Sequence, residues 1–263
     1  MQNLTFYKYQ GTGNDFILID NRGQQLEKEL TTEHIAKLCD RRFGIGADGL
    51  MLLSDAAGYD FRMIYYNSDG RESSMCGNGG RCITAFAKKV GLEKEVYHFL
   101  AIDGEHEAME EARGIKLKMG KPHSFQLFDN NNMWIHTGSP HYVQLHNADV
   151  STLEVNELGK KIRYNDTYKQ EGTNVNFVNL VKEGVLKVRT YERGVEAETL
   201  SCGTGVTACA YTYIIWNSRI KEVSVLTEGG ELWVEVVDFH QESEAVYLIG
   251  AATFVFEGKI TVY

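Results

Sequence analysis

The chain has no long apolar run, almost no proline and no excess of positive charge, and each shortage removes a class of function. No stretch approaches the roughly 20 apolar residues of a membrane-spanning helix. The first residues, MQNLTFYKYQ, lack the basic-then-apolar order of an export signal, so a cytoplasmic protein with no membrane partner is expected. Lys plus Arg number 27 against 36 Asp plus Glu, a net charge of −9, which argues against a nucleic-acid partner and means that any anion site must be built locally. The five cysteines, Cys39, Cys76, Cys82, Cys202 and Cys209, are an odd number, and 263 residues can bury a core without covalent staples. Reduced thiols are therefore expected. The pairs 76/82 and 202/209 are too far apart for a zinc knuckle, so no metal is expected either.

What is abundant is short apolar or alternating runs. LTFYKY, FILID, LMLLS, FRMIYY, YHFLAI, IKLKMG, WIHTG, YVQLH, VNFVNLV, LKVRTY, VSVL, LWVEVV, YLIGAATFVF and KITVY are each bounded by Gly, Asn or Asp turn signals and predict a protein that is mostly β-sheet. Helices are few. Thr31 or Thr32 can cap TEHIAKLCD, GRCITAFAKKVG ends with Lys88 and Lys89 before Gly91, and NELGKKIR is a third candidate. The fourth, GVTACAYTYIIW, is apolar on nearly every face, which predicts a helix wrapped by a curved or barrel-like sheet, and GRCITAFA could sit the same way.

The order of features suggests a duplication. GTGNDFILI (11–19) lines up with GTNVNFVNL (172–180), and each is later followed by Cys-Gly-x-Gly at a helix start, with a Glu four residues before each cysteine, Glu72 and Glu198. The expected fold class is α+β, two pseudo-symmetric halves, each a mostly antiparallel curved sheet around a central apolar helix. The expected division is residues 1–121, completed by a C-terminal strand at about 250–263, and residues 122–249, with the polar stretch 121–132 as the crossover. Prolines occur only at Pro122 and Pro140.

FGIGADGL contains the spacing G-x-G-x-x-G at Gly44, Gly46 and Gly49, but a helix candidate and RRF precede it and a strand follows. That is the reverse of the context a dinucleotide site requires, and a tight turn delivering a strand is the better reading. The cysteine motifs SSMCGNGGRC and SCGTGVTAC carry more. Cys39, Cys82 and Cys209 lie within helical apolar patterns and read as inert buried thiols, whereas Cys76 and Cys202 precede helix starts, where unpaired N–H groups and the helix dipole favour a thiolate. Without a Cβ at Gly77, Gly79, Gly203 and Gly205, a carboxylate can approach those N–H groups, with Asn78 and Thr204 beside it. Two thiols, one as base and one as acid, are what inversion of a carbon by proton transfer requires, and fixed N–H donors would stabilise the carbanion-like transition state.

The segments KYQGTGNDFILID, RRFGIGADGL, YNSDGRESSMCGNGGRC, GTNVNF and YERGVEAETLSCGTG resemble diaminopimelate epimerase in family order. The resemblance implies two pseudo-symmetric halves with the active site between them, and cofactor-independent interconversion of LL- and meso-diaminopimelate in lysine and peptidoglycan precursor synthesis. By position it implies Cys76 and Cys202 as the acid/base pair. Gly77 with Asn78, and Gly203 with Thr204, would bind the reacting carboxylate and amino group; Asn14, Asn67, Asn174, Glu192 and Arg193 would hold the substrate, with Arg193 on the distal carboxylate. His141 and Glu192 would tune the cysteines. No cofactor is implied, diaminopimelate is the partner, and a homodimer is compatible with the family. Two departures stand out: Ser139 occupies the GSPH position where many members have Asn, and Gly49 replaces a Gln that contacts substrate in some members. Two alternatives remain open, a proline or hydroxyproline racemase of the same fold, and a non-catalytic redox protein that uses Cys76 and Cys202 as a thiol–disulfide pair.

Overall fold

The computed structural model describes residues 2–262. The chain divides into two compact units, one running up to Leu117 and resuming at Gly250, the other Lys118–Ile249.

In the first unit, Gln2–Gly11 pairs antiparallel with Asn14–Asp20 and with Thr253–Val262. Asn14–Asp20 runs parallel to Gly49–Ser54, which pairs antiparallel with Phe61–Asn67. Phe61–Asn67 then pairs with the short strand Glu72–Ser73 and runs parallel to Val96–Ala101, which continues antiparallel into Gly104–Glu111 and Gly114–Met119. The strands 14–20 and 49–54 are apolar on both faces because both faces are covered. Ile17, Ile19, Leu50 and Leu52 pack with Leu26, Ile35 and Leu38 of the outer helices Leu26–Glu29 and Thr32–Cys39. The helix Gly77–Lys89 packs on the same strands and is buried from Gly77 to Thr84. Thr31 caps the second outer helix as its sequence predicts: its hydroxyl accepts from the His34 N–H at 3.3 Å, and His34 Nδ1 accepts from the Thr31 N–H.

The second unit repeats the plan. Asn132–His136 pairs antiparallel with Pro140–His146, which runs parallel to Asn174–Lys182; that strand pairs antiparallel with Val185–Glu192, then Ala197–Thr199. Val185–Glu192 runs parallel to Glu222–Thr227, which turns into Gly230–Val237. Val175 and Phe177 cluster with Val150, Val155 and Tyr191 under the outer helix Val155–Arg163. Gly159 sits inside that helix because Tyr191 lies against it: an added Cβ would be 2.3 Å from Tyr191 Cβ. On the other side lies the helix Gly203–Trp216, with ten of its residues buried.

The duplication is real, but its register differs from the expected one. In the parallel pairs, Phe16 faces Gly49 and His141 faces Asn174. Counting back four residues from Phe16 and His141, Thr12-Gly13-Asn14 corresponds to Thr137-Gly138-Ser139, and GTNVNF lies on the counterpart of Gly49–Ser54, not of Asn14–Asp20. Gly13 and Gly138 both take positive φ, 85° and 97°. The sequence match was misleading because both strands of the parallel pair are buried on two faces and follow a glycine turn, so their patterns are alike. The pairing of Glu72 with Glu198 does correspond, since Glu72 faces Tyr66 and Glu198 faces Tyr191.

Other differences have plain causes. Gly104–Glu111 is a strand despite its carboxylates, because it needs only its Ala108 face buried. The polar stretch 121–132, expected as a crossover, contains the strand Ser124–Leu127, paired with Asn132–His136. YLIGAATFVF is broken into Ala245–Gly250 and Thr253–Val262, and the latter absorbs KITV; Tyr263 lies outside the described residues.

Candidate active site

Each of the two motif cysteines is the residue preceding a buried helix. Cys76 is extended, φ −109° and ψ 148°, and its Sγ accepts the Gly79 N–H at 3.2 Å. The sulfur thus occupies the position that a serine or aspartate oxygen takes at an ordinary helix start. Gly79 makes this approach feasible, since an added Cβ would stand 3.1 Å from the sulfur and 2.5 Å from Met51 Cε. Cys202 also begins its helix in extended conformation, φ −116° and ψ 112°, but its Sγ lies 3.4 Å from Thr204 Oγ1. The other three thiols are inert. Burial pushes Cys39 and Cys82 up to about 12 and Cys209 well above the usual value.

Around Cys76 the structure gathers Gly77, Asn78 and Asn14. Asn78, 3% exposed, accepts at Oδ1 from Thr12 Oγ1 at 3.3 Å and from Arg81 Nη2 at 3.0 Å. Its Nδ2 reaches Asn14 Oδ1 at 3.4 Å, and Asn14 Nδ2 donates to Asp48 Oδ2 at 2.7 Å. Asp48 is in turn gripped by Arg41, which also pairs with Asp15, and Asp15 pairs with Lys8 at 2.7 Å. This network fixes the FGIGAD turn against the Asn14 strand, the role the glycine spacing suggested. Asn67 ends its strand opposite Gly49 and is exposed.

Arg81 was not anticipated. It is fully buried one turn into the helix, bonded to the Gly77 carbonyl at 3.2 Å, to Thr12 Oγ1, to Asn78 Oδ1 and to the Ala251 carbonyl. Burial lowers its pKa to about 10, still a cation at neutral pH. All four of these acceptors are neutral oxygens, so the charge is solvated by dipoles at the helix start. The available signal was an arginine as the fifth residue of a helix that is otherwise small or apolar through its first turns.

Around Cys202 the structure gathers Gly203, Thr204, His141, Asn174 and Arg193. His141, fully buried, places Nε2 2.9 Å from Thr204 Oγ1, and burial pushes its pKa down to about 3. Thr137 Oγ1 donates to the Thr204 carbonyl at 2.9 Å. Asn174 is committed within the protein: Nδ2 donates to Ser139 Oγ at 2.6 Å and to the Pro140 carbonyl, while Oδ1 accepts the Arg193 N–H at 2.8 Å. The Arg193 side chain is exposed and donates to the Glu171 carbonyl at 2.9 Å. Glu192 accepts from Thr199 Oγ1 at 2.8 Å. Sequence reasoning missed Asn176, Thr190, Thr137 and Thr199, all polar residues on strands or turns that read as ordinary β-sheet.

The two departures acquire physical meaning. Ser139, shorter than Asn, is reached by Asn174, whose amide spans the difference. A side chain at Gly49 would collide with Tyr65, since an added Cβ stands 2.5 Å from both Tyr65 Cε2 and the Tyr66 carbonyl oxygen. The Tyr65 ring fills the place where a longer residue would start.

The sequence pattern of the diaminopimelate epimerase family matches residues 6–125 and 133–255. The diaminopimelate epimerase of Flavobacterium psychrophilum is 49% identical over 263 residues, covering 98% of this chain and 100% of that protein. That of Aquifex aeolicus is 40% identical, covering 98% of both. Among solved structures, a PhzF-family phenazine biosynthesis protein of Bacillus anthracis superposes with a TM-score of 0.76 at 17% identity, covering 100% of both chains. A probable proline racemase of Agrobacterium radiobacter gives 0.71 at 12% identity, covering 99% of this chain and 93% of the other. These two share the two-repeat fold. With 49% identity across nearly its whole length and both cysteine motifs inside the matched segments, the chain belongs to the diaminopimelate epimerase family.

Proposed function

We propose that this protein interconverts LL- and meso-diaminopimelate by two-base proton transfer, with Cys76 and Cys202 as the acid/base pair and no cofactor. The observation that carries the reading is the repeated placement of a cysteine at the start of a buried helix, with glycine next and a polar side chain after it. In one direction a thiolate takes the α-proton while the other residue, as a thiol, gives a proton to the opposite face; the carbon is inverted and the two sulfurs exchange protonation states. The reverse reaction uses the same pair in swapped roles.

Each helix start also supplies what the negative charge needs. The backbone N–H groups of the first turns, those of Gly77, Asn78, Gly203 and Thr204 among them, and the Asn78 side-chain amide are donors for the reacting α-carboxylate, oxygen acceptors at the same helix ends take the amino group, and the fixed dipoles favour the carbanion-like transition state. Arg193, exposed in the turn just past the strand Val185–Glu192, is assigned the distal carboxylate, for which a planar guanidinium is a bidentate partner. Asn14, Asn67, Asn174 and Glu192 complete the substrate contacts, Asn174 acting through the Arg193 backbone and Ser139 that it holds.

No helix among the described residues is long and apolar enough to cross a membrane. The reading includes a cytoplasmic location, no nucleic-acid partner, and a homodimer supported by the exposed Phe254, Val255 and Phe256 of the last strand. Sedimentation velocity tests the dimer. For the activity, reduced protein in deuterated water is expected to exchange the α-proton of LL- and meso-diaminopimelate without added cofactor. A folded, reduced sample that exchanges proline but not diaminopimelate would overturn the substrate.

A further inference from the structure

The second unit holds a chain of side chains in which the position of every proton follows from its neighbours. Asn176 is fully buried on the Asn174–Lys182 strand, directly opposite Thr190. Its Oδ1 accepts from Thr190 Oγ1 at 3.0 Å, and Nδ2 donates to the Tyr142 carbonyl at 3.0 Å. Turning the amide over would set two acceptor oxygens against each other at Tyr142, so its orientation is fixed.

The second hydrogen on Asn176 Nδ2 faces His141 Nδ1 at 3.2 Å. A ring nitrogen that receives a hydrogen bond carries no proton, and a neutral imidazole then has its proton on Nε2. That N–H donates to Thr204 Oγ1 at 2.9 Å, leaving the Thr204 hydroxyl proton for Cys202 Sγ at 3.4 Å. Ser139 Oγ stands farther from the same nitrogen, at 3.5 Å, and accepts from Asn174. With the opposite tautomer, Thr204 would donate to the imidazole and turn a lone pair toward the sulfur.

We propose that Asn176, held by Thr190, is a positioning residue that locks His141 as the Nε2–H tautomer and so keeps the Thr204 hydroxyl donating to Cys202 Sγ. The consequence is a thiolate at Cys202 that always meets a donor, supplied through three buried side chains and not through a charge. The kinetic part rests on Cys202 being one of the two acid/base groups; the tautomer does not.

The first experiment is long-range ¹H–¹⁵N NMR of the full-length, uniformly labelled protein, with the His141 signals assigned by comparison with His141→Gln. A protonated Nε2 and an unprotonated Nδ1 at neutral pH are expected, and a proton on Nδ1 would overturn the proposal whatever the activity. The second is Asn176→Asp, whose carboxylate accepts from Nδ1 and reverses the tautomer. Its kcat for diaminopimelate is expected to fall about 100-fold with KM changed less than about threefold, the pattern of a lost transition-state interaction. Reversal of the tautomer with kcat intact would sink the idea. Should Asn176→Asp fail to fold, Thr204→Val removes the same donor and is expected to show the same split. Inactive unmodified protein with the Nε2–H tautomer in place would instead refute the functional reading and leave the lock standing.

Discussion

At Cys76 the sulfur faces its own helix backbone; at Cys202 it faces a hydroxyl. The two units share strand order, helix placement and the Thr-Gly turn that touches the helix start, yet they surround their cysteines with different chemistry. The first unit buries a cation, Arg81, beneath Asn78. The second buries a neutral imidazole, His141, beneath Thr204. At the position of Arg81 it has Thr207, whose hydroxyl donates to the Gly203 carbonyl at 2.9 Å. A duplicated fold thus supplies two similar helix ends, and the residues one layer below make them unequal. A guanidinium acts at every working pH and over several ångströms, whereas a hydrogen-bond chain acts only along its direction.

The broadest challenge to this comparison is to remove each sulfur. Cys76→Ala and Cys202→Ala are each expected to lower kcat by roughly three orders of magnitude, the scale of a missing general acid or base. Single variants differing by more than a factor of about ten in residual proton exchange would show that the halves are unequal in chemistry as well as in structure.

Arg81 and Thr207 test the layer beneath. Arg81→Met leaves Asn78 Oδ1 and the Gly77 carbonyl without their guanidinium, and kcat/KM is expected to fall by about 10- to 100-fold, with partial recovery in Arg81→Lys, which restores the charge but not the fork. Thr207→Val should cost about 1 kcal/mol of stability or less and leave kinetics unchanged. Equal kinetic losses at the two positions would remove the distinction between a cationic and a neutral half.

The imidazole makes a separate, thermodynamic prediction. His141 has a folded pKa of about 3, below its unfolded value, so the unfolded chain binds more protons between those values. Its contribution to stability is complete above the unfolded pKa and is lost as pH falls toward the folded one. Between pH 7 and pH 5 this amounts to about 2 kcal/mol. Urea titrations should show that slope in the parent protein and a shallower one in His141→Gln; equal slopes would mean that His141 protonates freely in the fold.

The smallest effect concerns the glycines. Gly205→Ala pushes a Cβ to 2.6 Å from Asn176 Oδ1, an atom held by a fixed amide, whereas Gly79→Ala meets the mobile end of Met51 at 2.5 Å. Overpacking costs about 1–3 kcal/mol, and the Gly205 variant should lie about 1 kcal/mol below the Gly79 variant in thermal or urea unfolding. The reverse order would mean that Asn176 yields more easily than a methionine methyl.

Much of this was legible in one dimension. The Cys-Gly-x-Gly motifs, the helix starts after them, the all-apolar second helix and the β-rich remainder follow from local rules that act within a few residues. The polar layer was not legible. Arg81 sits in a helix that reads as core, and Asn176 alternates with Val175 and Phe177 on a strand buried on both faces, so neither exposure nor periodicity marked it. The internal repeat was recognised at the cysteines and misregistered at the strands, because strands covered on both sides have little pattern beyond apolarity.

By itself the sequence determined where the two buried helices begin and which sulfurs stand before them, since a cysteine before a glycine-led helix is a local arrangement. Only the tertiary structure decided which neutral and charged groups lie under those helix ends. Thr12 and Asn78 are 66 residues apart, and Asn176 and His141 are 35 apart. Those partners meet through strand register and the burial of one helix in each unit, which no run of neighbouring residues specifies.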